Sequence, residues 1–175
     1  MVTECAKLGW TPTQVNQAGE YSAGMLGDPN FEGFNISGPM NNFFDEKIPG
    51  VEEYLEALEK ADPSIREAPE FGYQNVYPWL GGQLFKAAAE AADLDAGATA
   101  AQVMAGLYAL EDETLDGLVP PLNFVQGDKK ASLTPCYFAQ EIKGGELTTV
   151  GDGEPICLPE EEQKAVCPAV LGQSN

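Results

Sequence analysis

YQNVYPWLGGQLFKAAAEAA, residues 73–92, decides how the chain is read. Val76, Leu80, Leu84 and Ala88 recur every four residues, with Trp79, Ala87 and Ala91 on adjoining ridges, which predicts a helix with a wide buried face. Its alanines lose little side-chain entropy and let a neighbour come close. Pro78 fits only a first turn, which places the start near Val76 or Tyr77. Gly81-Gly82 costs helix stability and marks either a tight crossing or a kink.

Outward from this helix, residues 51–61 carry Val51, Tyr54, Leu55 and Leu58 on one face and Glu52, Glu53, Glu56 and Glu59 on the other, an amphipathic helix closed by Asp62-Pro63. Residues 63–72 read as a loop. A further helix spans 99–110, with Thr99 as N-cap and Val103, Met104 and Leu107 facing inward. Residues 132–143 are the clearest strand: Cys136, Phe138, Gln140 and Ile142 share one side, and Gly144-Gly145 turns the chain into a return strand at 147–150. Upstream, 2–9 reads as a helix ending at Gly9, 10–16 and 31–37 as strands, and 23–26 as a short helix capped by Ser22. This alternation is an α/β rhythm. Residues 41–50 are irregular, and Phe43-Phe44 either line a cleft or anchor the loop to the core.

With 175 residues, 43% of them hydrophobic, the chain can bury a substantial core. Nine basic against 28 acidic residues give a formal charge of −19, which repels nucleic acid and anionic membranes. The chain has no histidine, so a Ser-His-Asp triad, a Cys-His dyad and a histidine zinc site are excluded within it. The carboxylates form no pair framed for acid–base work, so the expectation is a non-enzyme without cofactor. No apolar run reaches transmembrane length, and the N-terminus lacks a signal-peptide pattern. Four cysteines at 5, 136, 157 and 167 allow three pairings that spacing alone does not choose between, and none of the spacings is a CxxC metal motif.

Taken together, VYPWLGGQLFKAAAEAA (76–92), TAAQVMAGLYAL (99–110), ETLDGLVPPLNFVQGD (113–128) and TPCYFAQEIKGGEL (134–147) resemble the C-terminal half of type I periplasmic binding proteins. The branch they resemble is the branched-chain amino acid binding family of ABC importers. KLGWTPTQVNQAG (7–19) and FEGFNIS (31–37) fit the preceding part of its second lobe. The resemblance implies an α/β fold of three-layer sandwich lobes, present in part. On that pattern residues 1–40 belong to lobe two, 41–132 to lobe one and 133–175 to lobe two again, the last with a hairpin and a cysteine-bearing tail. The chain then crosses between lobes near Pro39–Asn42 and Lys130–Thr134. It further implies an N-terminal half outside this chain, an extracellular or periplasmic location with a lipoprotein anchor in that missing part, and an ABC permease as partner. A homodimer or a complementary N-terminal half would cover the exposed edges.

In this family the turn after the 10–16 strand supplies an acidic group to the ligand amine. Here that turn reads NQAGEY; the match falls on Asn16 or Gln17, with Glu20 the nearest carboxylate. An amide both donates and accepts, so an amide-like solute fits as well as an amino acid. Tyr21 and Phe43 are the implied apolar walls, and Tyr77 faces the hinge. The plainer alternatives make Glu20 a solvated turn residue and Tyr77 a half-buried core tyrosine. A Cys136–Cys157 disulfide resembles one in the family; Cys5–Cys167 or Cys157–Cys167 are the other pairings considered. The function implied is solute binding for an importer; the alternative is a ligand-sensing or structural interaction domain of the same fold.

Overall fold

The computed structural model describes residues 2–11, 13–126, 134–159 and 161–162. Its sheet runs β1 (Val15–Gln17), β2 (Asn35–Gly38), β3 (Cys136–Lys143), β4 (Glu146–Thr149), with β5 (Ile156–Cys157) paired to the first residues of β3. β1 and β2 are parallel; β3 is antiparallel to β2, β4 and β5. Helices α1 (Val2–Lys7), α2 (Pro49–Ala61), α3 (Tyr73–Ala91) and α4 (Ala100–Tyr108) complete a small mixed α/β domain with an open sheet.

Strand β3 takes its place from its alternation. Phe138, Gln140 and Ile142 are buried, while Tyr137 and Lys143 face out. Gly144 and Gly145, with φ of 63° and 79°, supply the two positive angles that a two-residue hairpin loop demands. Against the inward face pack Val51, Tyr54 and Leu55 of α2 and Tyr73 and Val76 of α3. Residues expected to fall in different lobes, such as Ile36, Val51 and Ile142, share this one core.

Helix α3 begins at Tyr73, ahead of Pro78, which becomes its sixth residue instead of a first-turn residue. Tertiary anchors outweigh the missing donor. Tyr73 is fully buried and its hydroxyl donates to Gln140 Oε1 at 2.6 Å. Asn75 Oδ1 accepts from the Gly72 N–H at 3.0 Å, and a Cβ at Gly72 would strike the Tyr21 carbonyl. The close helix crossing also differs from expectation. Nothing lies within 4 Å of a Cβ at Gly81 or Gly82, whereas one at Gly106 of α4 would land on the Ala88 carbonyl oxygen. Turning α4 about Gly106 leaves Met104 43% exposed, not inward.

Other local expectations are trimmed. The 10–16 strand shortens to β1, Ser22 forms no side-chain cap on the 3-10 turn Ala23–Met25, and the 63–72 loop contains a 3-10 helix at Pro63–Glu67. That helix is capped by Asp62, whose carboxylate accepts from the Ser64 N–H at 3.0 Å and hydroxyl at 2.6 Å; these bonds hold its pKa below the usual carboxylate value. Thr99 does cap α4, in a reciprocal pair with Gln102. Among the described residues, no helix is long and apolar enough to cross a membrane.

A disulfide joins Cys136 to Cys157, opposite one another in the β3–β5 ladder and 21 residues apart in sequence. Among the described residues Cys5 has no disulfide partner; Cys167 lies outside them, as does most of the 130–134 crossing. Closing a loop of this length stabilises the fold by about 3 kcal/mol through the unfolded chain. Reduction, or serine at both positions, is therefore expected to lower the melting temperature by roughly 6–12 °C. Calorimetry with and without dithiothreitol measures this; an unchanged transition would mean that the loop is held by other contacts.

Candidate functional site

The segment that leaves β2, Met40-Asn41-Asn42-Phe43-Phe44-Asp45, organises the site although it forms no helix or strand. Its two asparagines are buried and act as ties. Asn41 Nδ2 donates to the carbonyls of Gly117 (3.2 Å) and Gly153 (3.3 Å), and Asn42 Nδ2 donates to the Leu147 carbonyl of β4 at 3.0 Å. Asn42 Oδ1 accepts from the Phe44 N–H at 3.1 Å, a side-chain-to-backbone turn that fixes the chain around Phe43.

Phe43 enters an aromatic box with Tyr21, Phe44, Phe71 and Tyr73, whose ring centroids lie 4.7–6.4 Å apart, mostly edge to face. Burial raises the pKa of Tyr21 and Tyr73 above the ordinary phenol value, and pushes that of Tyr54 up to about 12 against the opposing charge of Arg66. A phenol that ionises near pH 10 in the unfolded chain but must stay neutral in the fold contributes stability that is complete below about pH 10 and lost as pH rises above it. Thermal unfolding is thus expected to fall steeply between about pH 10 and 12. Tyr21→Phe should flatten that slope, and an equal slope in the variant would remove Tyr21 from the cause.

Phe44 is only half-buried, because its outer side lines a cavity of about 550 Å³. Leu26 and Leu147 extend the apolar wall; Asn42, Thr148 and Thr149 are the neutral polar groups; Asp45, Glu146 and Arg66 are the charges. The volume falls in the range of small-molecule sites, about 300–1,000 Å³. Arg66 comes from the Pro63–Glu67 helix and is held loosely by Glu46 at 3.6 Å, with side-chain exposures of 33% and 65%. So exposed a pair is easily exchanged for another carboxylate.

The residues expected at a ligand site fall into three places. Asn16, Gln17 and Glu20 come together at the end of β1, where Asn16 Nδ2 donates to Glu20 Oε2 at 2.5 Å and Glu20 and Gln17 remain exposed. Gln74 donates to the Gly19 carbonyl at 3.3 Å and brings the start of α3, with the 39% exposed Tyr77, beside that turn. Tyr21 and Phe43 meet, with ring centroids at 5.7 Å, but at 2% and 0% exposure they are core groups and not walls open to a solute. They back the wall that Phe44 presents. Burying the Phe43 ring contributes about 1.5–3 kcal/mol to stability.

Sequence reasoning missed Asp45, Arg66 and the 146–149 strand edge as site residues. Only tertiary contact joins them, although the Asn-Asn-Phe-Phe run, polar amides set against aromatics, was a signal of a tied-down loop. Among the described residues, no group of three or more His, Cys, Asp or Glu is placed to hold a metal. Compared with family models, characterised proteins and solved structures, the chain matches none.

Proposed function

We propose that this chain is a non-catalytic binding module for a small zwitterionic solute of the amino-acid type, seated in the cavity beside Phe44. The observation that carries the reading is the set of charges in the lining: one guanidinium, Arg66, and two carboxylates, Asp45 and Glu146, together with an apolar wall. Arg66 pairs with the solute carboxylate, Asp45 and Glu146 with its ammonium group, and Leu26, Phe44 and Leu147 with its side chain. Overall charge favours the same ligand class. A surface at −19 opposes the approach of anions, whereas a zwitterion has no net charge to repel.

The importer role that the family resemblance implies would use such a cavity to hold its solute. An extracellular or periplasmic location has the Cys136–Cys157 bond in its favour, since disulfides persist in oxidising compartments. The Asn16–Glu20 pair at the end of β1 serves in this account as a structural tie.

Titration calorimetry of the purified chain with single L-amino acids tests the reading. At least one is expected to bind, and Arg66→Gln to weaken it about 10- to 100-fold, the worth of a charged hydrogen-bonded contact. Asp45→Asn should lower affinity by a smaller factor, since Glu146 remains. If no amino acid binds at millimolar concentration, or Arg66→Gln binds as well as the parent, the cavity is not the site.

A further inference from the structure

All four residues of β4, Glu146–Thr149, line the cavity beside Phe44. Side chains alternate between the two faces of a strand, so a run of successive residues shares one cavity only where it lies along the strand's edge. That edge is open: in the sheet order β1-β2-β3-β4 the last strand pairs with β3 alone among the described residues. The register fixes which backbone groups face it. Val150 N–H donates to the Ala139 carbonyl at 2.9 Å, which puts the pairs Thr148–Glu141 and Glu146–Lys143 in the bonded phase of the ladder. Ile142, opposite Leu147, instead donates to the Phe34 carbonyl at 3.0 Å, on the other side of β3. Leu147 and Thr149 therefore turn their N–H and C=O groups toward the cavity. One of these groups is in use: the Leu147 carbonyl accepts from the Asn42 carboxamide at 3.0 Å. The Leu147 N–H and both backbone groups of Thr149 have no hydrogen-bond partner among the described residues.

We infer that the solute is a short peptide held extended along β4 as an added strand, its amide groups paired with Leu147 and Thr149. The inference rests on the reading of this cavity as a seat for a zwitterion, and names the class of zwitterion. A free amino acid has a carboxylate for Arg66 and an ammonium group for Asp45 and Glu146, but no amide to meet the N–H and C=O of Thr149. A peptide supplies the amide and keeps one charge at each end, and adding to a free strand edge is an established way of holding one. Asn42 is an internal precedent, because its carboxamide is chemically a peptide unit and already sits on this edge. Volume points the same way. At about 30 Å³ for each water-sized group, a cavity of about 550 Å³ has room for roughly twice the non-hydrogen atoms of leucine, close to those of a dipeptide.

Titration calorimetry tests the pairing with L-leucine, L-leucyl-L-leucine, the same dipeptide methylated on its amide nitrogen, and N-acetyl-L-leucyl-L-leucinamide. The dipeptide is expected to bind about tenfold or more tighter than leucine, and amide methylation to remove that gain. The blocked form keeps the amides without the charges and should bind about tenfold or more weakly than the dipeptide. Thr149→Pro deletes an N–H that faces the cavity and not the ladder, so it should weaken the dipeptide about tenfold. Hydrogen exchange reads the same contact in the unaltered chain. At saturating dipeptide the Leu147 and Thr149 amides are expected to slow about tenfold or more, while that of Thr148, already bonded to Glu141, does not change. A dipeptide that binds no tighter than its methylated form, or protection that is absent or uniform across 146–149, would overturn the added strand. Leucine binding that depends on Arg66, with no gain from the dipeptide, would overturn it while leaving the cavity as an amino-acid site. Equal binding of the blocked form would overturn a free peptide in favour of a segment of a longer chain. Dipeptide binding with alternate protection but no amino-acid binding would uphold the added strand and end the amino-acid reading.

Discussion

Gln140→Ala is expected to destabilise the protein by about 4 kcal/mol, from a cavity plus two orphaned polar groups. Gln140 has no exposed surface; its Oε1 accepts from the Tyr73 hydroxyl at 2.6 Å and its Nε2 donates to the Met40 carbonyl at 3.2 Å. This one amide links the central strand β3, the first residue of α3 and the segment that leaves β2. Removing it leaves a phenol and a carbonyl buried without partners. A loss of this size is a large share of a typical stability of 5–15 kcal/mol. Adding Tyr73→Phe to Gln140→Leu should recover part of the loss, since two matched apolar groups leave one fewer polar atom stranded. Urea unfolding of the single and double variants gives the coupling; strictly additive losses would mean that the hydrogen bond contributes nothing beyond its parts.

Gly106→Val is expected to lose about 4 kcal/mol, beyond the usual 1–3 kcal/mol of overpacking, because the atom it meets is backbone. A Cβ there lands on the Ala88 carbonyl oxygen, which belongs to α3 and cannot turn away as a side chain would. Helix α4 must then lift off, uncovering the half-buried Val103 and Leu107. Gly81→Ala and Gly82→Ala are expected to act oppositely. Both positions face open space within α3, so each exchange should gain about 0.8–1 kcal/mol from helix propensity. Thermal melts of the three variants decide between the two roles for glycine. A stabilised Gly106→Val, or destabilised Gly81 and Gly82 variants, would place the contact on the other face of α3.

Both predictions fall where sequence and structure part company. Gln140 shares the inward side of an alternating strand, and that side is readable from sequence. That its partner is Tyr73, 67 residues away, is not, because periodicity states which face is buried and never which group covers it. The glycines show the same limit. Gly81-Gly82 draws attention as a pair, yet the crossing uses the single Gly106, because close approach depends on where α4 turns back over α3. Tyr21 and Phe43, expected as open walls, are core rings one layer behind the cavity wall that Phe44 forms, because no local signal tells which ring of Phe43-Phe44 turns inward. That Arg66 shares a cavity lining with Asp45 and Glu146 was unreadable, because a lone arginine in a polar stretch carries no signal of which distant carboxylates it will lie near.

By itself the sequence determined the local elements: the acid-and-apolar faces of α2, the Thr99 cap, the alternation of β3 and its Gly-Gly hairpin. Each is set by forces acting within a few residues, through backbone sterics, capping and side-chain period. Tertiary structure alone decided the start of α3 ahead of its proline, the crossing at Gly106, the burial of Asn41 and Asn42, and the cavity beside Phe44. These depend on groups far apart in the chain competing for the same space and the same hydrogen bonds, and a cavity is the space that several such elements together leave unfilled.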